Sequence, residues 1–366
     1  MSDDVAALNS VPTEEGLNQL QLTTLQYYLH ESNPANGLIR DKTDPSAPCS
    51  IAAVGLALAT IPVLVERGVI SREFAPEVAL RTLRFFHDSP QGPEADATGY
   101  KGFYYHFLDM KTGRRVWECE LSTIDSAFLF AGMLTCAAYF DADTEDESEV
   151  RRLADELYRR ADWQWVLVGG AAVSHGWRPE TGFLPHTWTG YDEALLVYLL
   201  GLGSPTFPLP GESYAAYCST YHCWGITATD GPGWETRRVN GIERQFFGYH
   251  ARGVPYGPDD GTLAPWVAVA SLPFAPEIVI PTIRAMARLE LGATTRYGFK
   301  PSFNQTYAVP DSPTGWWVTP YHFGIDQGPV ALMIENYRTG LIWEIMRRCP
   351  YVKVGLRRAG FRGSWL

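Results

Sequence analysis

Apolar residues recur every three to four positions over most of this chain. That spacing places them on one face of an α-helix. Ten helices are predicted, at residues 17–30, 50–66, 71–87, 122–140, 147–165, 192–202, 263–271, 277–291, 327–337 and 340–348. A doubly wound α/β fold needs a short apolar strand before each helix, and the sequence has none of these. We therefore expect an all-α protein built from sequential helical hairpins.

Four long segments separate the predicted helices, at residues 89–118, 168–191, 227–261 and 294–326. Loops of this length are usually either functional or disordered. They are rich in aromatic residues, which disfavours disorder and indicates function. A small hairpin is predicted around Lys111 to Gly113. Composition does not change along the chain, so a single domain over residues 1–366 is expected.

Composition excludes several classes of function. The 366 residues carry a formal net charge of −11, whereas a nucleic-acid-binding protein would show a basic surface. The same charge disfavours an anionic membrane surface, and no apolar run is long enough to span a bilayer. The first ten residues, MSDDVAALNS, lack a signal peptide's features. We expect a cytoplasmic protein, or a periplasmic one if the chain is a processed form.

Metal and cofactor chemistry is not predicted. The six cysteines are scattered without a C-x-x-C pair, so they are expected to be buried free thiols. No H-E-x-x-H motif or close His/Cys spacing indicates a metal ligand set. Neither a nucleotide-binding glycine pattern nor a G-x-S-x-G elbow occurs. The oligomeric state is left open.

Residues 174–203 combine chemistry typical of a carbohydrate site. Three carboxylates, two histidines, two tryptophans and an arginine lie among glycines and prolines, before an apolar helical run. They are Glu180, Asp192, Glu193, His175, His186, Trp177, Trp188 and Arg178. Flat aromatic rings stack on sugars, and paired carboxylates cleave between them. The segment therefore predicts one wall of a glycan-binding cleft.

Five motifs carry a family resemblance. They are ELSTIDSAFLFAG (120–132), GYDEALLVYLLGLGSPTFP (190–208), WGITATDGP (224–232), DDGTLAPWVAVASLPFAPEIVIP (259–281) and GIDQGPVALMIENYRTGLIWEIM (324–346). Together they resemble the bacterial glucoamylase-like domain family. That family includes endo-β-1,2-glucanases of glycoside hydrolase family 144 and a related domain of cyclic β-1,2-glucan synthases. The resemblance spans about residues 17–361.

The resemblance implies an (α/α)6 toroid with long loops and a sugar cleft on one face. It also implies hydrolysis of a β-linked glucan, expected to be β-1,2-glucan. Two carboxylates would act with inversion, and no metal or cofactor would take part. An oligo- or polysaccharide is the expected partner.

The chain departs from the family pattern after Tyr221. Family members carry several tens of further residues here, whereas this chain passes directly to His222. The departure predicts loss of about one helical hairpin, which agrees with ten predicted helices rather than twelve. Three alternatives to the hydrolase therefore stay open: a transglycosylase, a hydrolase of another glucan linkage, and a non-catalytic glucan-binding protein.

Glu193 is the candidate general acid. It lies where the aromatic-rich loop enters an apolar helix, and it matches the position of the family's proposed acid. An acid needs apolar surroundings to raise its pKa. The alternative is that Asp192 and Glu193 simply stabilise a helix N-terminus, with Thr189 and Asp192 forming a capping box.

Asp125 is the leading candidate for the second carboxylate, because it aligns with a family carboxylate implicated in catalysis. Ser122 and Asp125 also fit a capping box, which is the structural alternative. Glu118 and Glu120 alternate on an expected extended segment, so both would face the cleft. Glu120 is a candidate to replace Asp125 as the base.

Substrate contacts are predicted for aromatic, histidine and acidic residues on the long loops and helix starts. The predicted set is Tyr100, Tyr104, His106, Glu118, Trp177, Glu180, His186, Trp188, Tyr191, Asp192, Trp224, Asp230, Asp260, Trp317 and Asp326. The expected roles are stacking on glucose rings and hydrogen bonding to hydroxyl groups.

Overall fold

A computed structural model describes residues 14–189, 193–218, 227–252, 257, 258, 260–289, 291, 296–364 and 366. The described residues form two compact units, each discontinuous in sequence. The first unit draws on Met1–His30, Lys42–Asp44 and Cys223–Thr339. The second draws on Glu31–Asp41, Pro45–His222 and Gly340–Leu366.

Helices dominate the described part of the chain, as the periodicity predicts. They are α1 Glu14–His30, α2 Ile51–Glu66, α3 Ala75–Asp88, α4 Thr123–Tyr139, α5 Glu145–Arg160, α6 Leu195–Gly203, α7 Glu212–Cys218, α8 Pro265–Ala270, α9 Pro276–Arg288, α10 Gly324–Arg338, α11 Leu341–Arg348 and α12 Pro350–Arg358. All ten predicted helices are confirmed. Two short helices, α7 and α12, were not predicted, so the count of ten was too low and does not support a lost hairpin.

Several helix ends differ from the prediction for local reasons. Ser71 does not cap α3. Its hydroxyl accepts a hydrogen bond from the Phe74 N–H in a preceding turn, and the helix begins at Ala75. The predicted helix 147–165 ends early, at Arg160. The predicted helix 192–202 begins only at Leu195, without a side-chain cap.

Short antiparallel strands occur mostly in the long loops, with β1 and β5 just before helices. They are β1 Cys49–Ser50, β2 Gly99–Tyr100, β3 Phe103–Tyr104, β4 Phe107–Leu108, β5 Leu121–Ser122, β6 Gly176–Arg178, β7 Gly182–Phe183, β8 Thr227–Thr229, β9 Glu235–Val239, β10 Ile242–Phe246, β11 His250–Arg252, β12 Phe303–Ala308 and β13 Trp316–Val318. The predicted hairpin around Lys111 is confirmed by the bridge between Leu108 and Arg115. The all-α prediction thus holds for the packed helices but not for the segments that connect them, which contain short strands.

In the second unit, α2 and α4 pack in backbone contact. A Cβ atom on Gly132 would lie 2.0 Å from the Gly55 carbonyl oxygen, so only glycine permits this approach. A second close contact joins α6 and α12, where a Cβ on Gly355 would lie 2.0 Å from the Leu199 oxygen. Helix α4 begins directly after strand β5 in the chain, so its N-terminus lies beside that strand.

In the first unit, α10 packs against both α1 and α8. Its core includes Leu20, Val269 and Ile334. Glu335 is buried in this unit and accepts hydrogen bonds from the Gln21 amide (3.0 Å) and the Thr339 hydroxyl (2.7 Å). These bonds offset the cost of burying the carboxylate.

Four cysteines, Cys49, Cys119, Cys136 and Cys349, are buried free thiols, which confirms the prediction for them. Within the described ranges, no helix is both long and apolar enough to cross a membrane.

Candidate active site

Two predicted carboxylates of the second unit converge on one histidine. His106 Nδ1 lies 3.0 Å from Glu120 Oε1, and His106 Nε2 lies 3.6 Å from Asp125 Oδ1. Arg178 adds a second positive charge, with its Nη2 3.8 Å from Glu120 Oε2. The arrangement brings together three residues that sequence reasoning placed at the site separately.

Short strands and one helix start build this cluster. Backbone hydrogen bonds join His106 N–H to the Glu120 oxygen, and β5 pairs with β6. Gly176 lies opposite Ser122, where a Cβ would come within 3.0 Å of the Glu120 Cγ and 2.4 Å of the Leu121 oxygen. A side chain at position 176 would therefore displace Glu120.

Asp125 has both of the roles considered for it. The Ser122 hydroxyl accepts from the Asp125 N–H, so Ser122 caps α4, and the same hydroxyl donates to Asp125 Oδ2. Its other oxygen, Oδ1, faces His106. A capping residue thus also presents a carboxylate to the cluster.

The cluster shifts the protonation of its members. Burial alone would lower the pKa of His106, but Asp125 and the hydrogen bond and charge of Glu120 outweigh it and raise that pKa to about 9. For Glu120, burial acts to raise the pKa, but the His106 hydrogen bond and charge, with Arg178, lower it. At neutral pH the pair is an imidazolium beside a carboxylate.

An aromatic group lies on the adjoining strand. The Trp177 ring is 5.3 Å from Tyr100 and 5.6 Å from Trp165, and Trp165 lies 4.9 Å from Phe183. Trp177 and Tyr100 were predicted contacts and are both partly exposed. Trp165 was missed because the helix was predicted to continue through it. The signal was Asp162, whose carboxylate accepts from the Trp165 N–H and forms a turn.

Trp188 and the two loop histidines lie beside the start of α4. The Trp188 Nε1–H donates to the Thr123 hydroxyl at 2.9 Å, and its ring stacks on His175 at 3.8 Å. Burial, with the neighbouring His186, lowers the pKa of His175. The His186 side chain is exposed, and its backbone oxygen accepts from the His175 N–H.

Glu193 lies in the turn just before α6 and is exposed. It precedes the N-cap residue Ala194, so the interpretation that it lies in the first helical turn is wrong. Its assignment as the acid stays a prediction.

Glu180 forms an ion pair with a buried arginine. Its oxygens accept from Arg115 Nη1 (2.7 Å) and Nη2 (3.1 Å), and the Arg115 side chain is only 2% exposed. The guanidinium also lies over the Tyr105 ring and donates to the Cys119 oxygen. Sequence reasoning missed Arg115. In a hairpin, one of the two consecutive arginines Arg114 and Arg115 must face inward.

Two predictions on this side of the unit need correction: Tyr104 as a sugar contact, and the shared face of Glu118 and Glu120. Tyr104 is 1% exposed, its hydroxyl donates to the Phe86 oxygen, and its ring packs on Phe86, so it belongs to the core rather than to a sugar site. Glu118 does not share an extended face with Glu120, because Trp117 and Glu118 both have positive φ. The Glu118 side chain is exposed instead.

Four predicted residues lie in the first unit. Asp230 accepts from the Thr319 hydroxyl at 2.8 Å, Trp317 pairs with Asn304 on β12, and Asp326 is buried in the first turn of α10. Asp260 is wrong as a substrate contact, because it is fully buried and its oxygens bind the Arg252 guanidinium. The predicted residues Tyr191, Asp192 and Trp224 lie outside the described residues, as does the junction of Tyr221 and His222.

Comparison with known proteins supports the resemblance. A family model described as "Putative glucoamylase" matches residues 185–222 and 218–350. A curated relative from Parabacteroides distasonis, an exo-β-1,2-glucooligosaccharide sophorohydrolase acting at the non-reducing end, is 25% identical over 445 residues. The match covers 98% of this chain, which spans only 59% of the relative's length. The resemblance to the glucoamylase-like family is confirmed.

Solved structures share the fold. A "putative glucoamylase" from Bacteroides uniformis superposes with a TM-score of 0.80 at 26% identity, covering 97% of this chain and 99% of that one. An endo-β-1,2-glucanase from Chitinophaga pinensis, in complex with sophorotriose and glucose, gives a TM-score of 0.77 at 22% identity. Coverage there is 96% of this chain and 98% of that chain.

Proposed function

We propose that this protein is a glycoside hydrolase that cleaves β-1,2-glucan on an (α/α)6 toroid forming one domain. The observation that carries the proposal is the placement of Glu120 and Asp125 around His106, beside the aromatic group at Trp177. Carboxylates next to exposed aromatic rings suit a glycosidase. The named activity of the Parabacteroides distasonis relative supports β-1,2-linked glucose as the substrate.

Asp125 acts as the base in this proposal, and Glu193 as the acid. Inversion requires the base to take a proton from the water that attacks the anomeric carbon, while the acid protonates the leaving oxygen. Asp125 Oδ1 is the accepting atom, since Oδ2 already receives the Ser122 hydroxyl. A bound sugar would exclude water from the exposed Glu193 and thereby favour its protonated form.

Glu120 takes a supporting role. Its lowered pKa keeps it ionised, and it is held by His106 and Arg178. An ionised carboxylate accepts hydrogen bonds from sugar hydroxyls, and it can replace Asp125 as the base. The variant Glu120→Gln distinguishes these roles, because loss of a hydroxyl acceptor raises KM more than it lowers kcat.

The test is product analysis on a panel of glucans of different linkage, with Glu193→Gln, Asp125→Asn and the surface variant Asp96→Asn as control. We expect activity on β-1,2-glucan. Turnover should fall by about 10²–10⁴-fold in both active-site variants and stay unchanged in Asp96→Asn. NMR of the first product should show the inverted anomer. Wild-type turnover in both variants would refute the assignments.

One observation favours a second candidate, a glucan-binding protein without hydrolytic activity. The family model matches in two pieces that meet at residues 218–222, and the 445-residue alignment is longer than this 366-residue chain. Relatives therefore carry residues that this chain lacks. Binding of β-1,2-glucan by the wild type without release of reducing sugar would establish this second function.

A further inference from the structure

Trp117 and Glu118 form a turn with an unfavourable backbone. Their φ angles are 58° and 50°, and the Val116 oxygen accepts from the Cys119 N–H at 3.2 Å. Positive φ at both central residues is the feature of a type I′ turn, which prefers Asn and Gly. For a tryptophan and a glutamate this conformation is strained, because their Cβ atoms crowd the backbone.

Two other two-residue turns in the described part of the chain also have positive φ at both central residues. Lys101 and Gly102 connect β2 to β3, and Asn240 and Gly241 connect β9 to β10, all with positive φ. Each of these turns has glycine at its second position. The turn at Trp117 and Glu118 has no such residue. Strain of this kind persists where the surroundings enforce it, and it concentrates at functional sites.

The surroundings do enforce this turn. The Val116 N–H donates to the Phe107 oxygen, and the Phe107 N–H donates to the Cys119 sulfur at 3.3 Å. Arg115 Nε donates to the Cys119 oxygen at 2.6 Å. Both flanks of the turn are therefore attached to strand β4 and to a buried guanidinium, and Trp117 is held in place rather than free.

Trp117 is also continuous with the active-site cluster. Its side chain is 65% exposed, and its ring lies 5.2 Å from Phe107. The Phe107 ring in turn stacks on His106 at 3.8 Å and 14°. A row of three rings thus leads from solvent to the imidazole between Glu120 and Asp125.

We propose that Trp117 is a stacking platform for an additional glucose unit of a β-linked glucan bound at the His106 cluster. This inference rests on the proposed function and deepens it. An exposed, rigid indole binds a sugar face at little cost in side-chain entropy, and the adjacent exposed Glu118 carboxylate can accept hydroxyl hydrogen bonds. The platform selects long glucan chains over short ones.

The test compares Trp117→Asn and Trp117→Phe with the wild type on β-1,2-glucooligosaccharides of increasing length. Asparagine tolerates positive φ but has no ring, whereas phenylalanine keeps one. We expect kcat/KM of Trp117→Asn to fall by about 3- to 10-fold for long substrates only, with partial retention in Trp117→Phe. Trp343→Ala, which removes an exposed tryptophan from α11, should have no such effect.

A loss that is equal at all lengths, or no loss, would overturn the inference. Calorimetry that compares the affinity for long β-1,2-glucan with that for the disaccharide sophorose tests the Trp117 platform independently of hydrolysis. If the protein hydrolyses nothing but Trp117→Asn still loses long-chain binding, the platform stands and the hydrolase does not.

Stability provides a second readout. Relief of strain should raise the unfolding midpoint of Trp117→Asn by about 1–3 °C. A lower midpoint together with unchanged binding would show that Trp117 is only structural.

Discussion

His106 illustrates how single residues set the charge of this site. Its ring nitrogens face two carboxylates at 3.0 and 3.6 Å, and its face stacks on Phe107. The histidine was predicted to bind sugar hydroxyls, a role that stays a prediction. In the structure it also links Glu120 to Asp125, so that the imidazolium offsets one of their two negative charges and Arg178 supplies a second positive charge beside Glu120.

The raised pKa of His106 makes stability depend on pH. The folded protein holds the proton more tightly than an unfolded histidine with a pKa near 6.5. The resulting stabilisation is therefore complete below about pH 6.5 and is lost as the pH rises through about 9. We expect the free energy of unfolding of the wild type to exceed that of His106→Gln by about 2 kcal/mol at pH 6. The difference should shrink by pH 10.

Urea unfolding at several pH values measures this difference. His186→Gln, which changes an exposed ring, is the matched control and should show no comparable trend. A difference between wild type and His106→Gln that does not change with pH would contradict the charge assignment.

The hairpin of β6 and β7 shows how one element presents the site. It carries Trp177 and Arg178, and Glu180 lies in its turn. The ion pair of Glu180 with buried Arg115 attaches this turn to the hairpin after β4. The pair thus attaches the hairpin that carries the aromatic group, and the contact of Glu180 with sugar stays a prediction.

Replacement of Glu180 by Gln should destabilise the protein by about 1–2 kcal/mol, because it leaves the buried guanidinium without a counter-charge. The loss of stability is held to this range because the Glu180 side chain is 42% exposed and water screens the ion pair. Arg114 and Asp96 form a neighbouring pair that is 45% and 73% exposed, so Asp96→Asn should cost less than about 0.5 kcal/mol. Denaturant unfolding measures the loss of stability in Glu180→Gln and in Asp96→Asn. Equal losses in the two variants would argue against the role of Glu180 in attaching the hairpin.

At the scale of the whole molecule, the chain interleaves its two units. The second unit begins after His30 and is completed only by residues 340–366, with residues 223–339 of the first unit lying between in the sequence. Helices α11 and α12 return to it, and α12 meets α6 through Gly203 and Gly355. The last two helices in the sequence therefore complete the core that the earlier helices of the second unit begin.

Truncation after Thr339 should abolish folding of the second unit, since it uncovers the apolar faces of α4 and α6. We expect an aggregated product, or a soluble one that binds the dye ANS strongly. A shorter deletion of residues 362–366 removes mostly exposed positions and should leave the unfolding midpoint unchanged. A cooperative transition with the wild-type midpoint after truncation at Thr339 would contradict this interpretation.

Helix periodicity and the family motifs determined the helical framework, because burial on one side imposes the 3.6-residue spacing. The motifs predicted Glu120 and Asp125, and the aromatic-rich loop predicted Trp177, as site residues; these roles stay predictions. The ends of helices were less predictable: Trp165 was assigned to a helix that stops at Arg160, since local turn bonds compete with periodicity there.

Only the tertiary structure decided which residues meet. The Glu120–His106–Asp125 cluster forms where the His106 N–H bonds to the Glu120 backbone oxygen, beside the β5–β6 pair and the start of α4, and these contacts leave no periodic mark on the sequence. The same folding buried Tyr104 and Asp260, exposed Glu193 and Trp117, and paired Glu180 with Arg115. The helical pattern depends on residues that are close in sequence, whereas burial and charge environment depend on contacts between residues far apart in the chain.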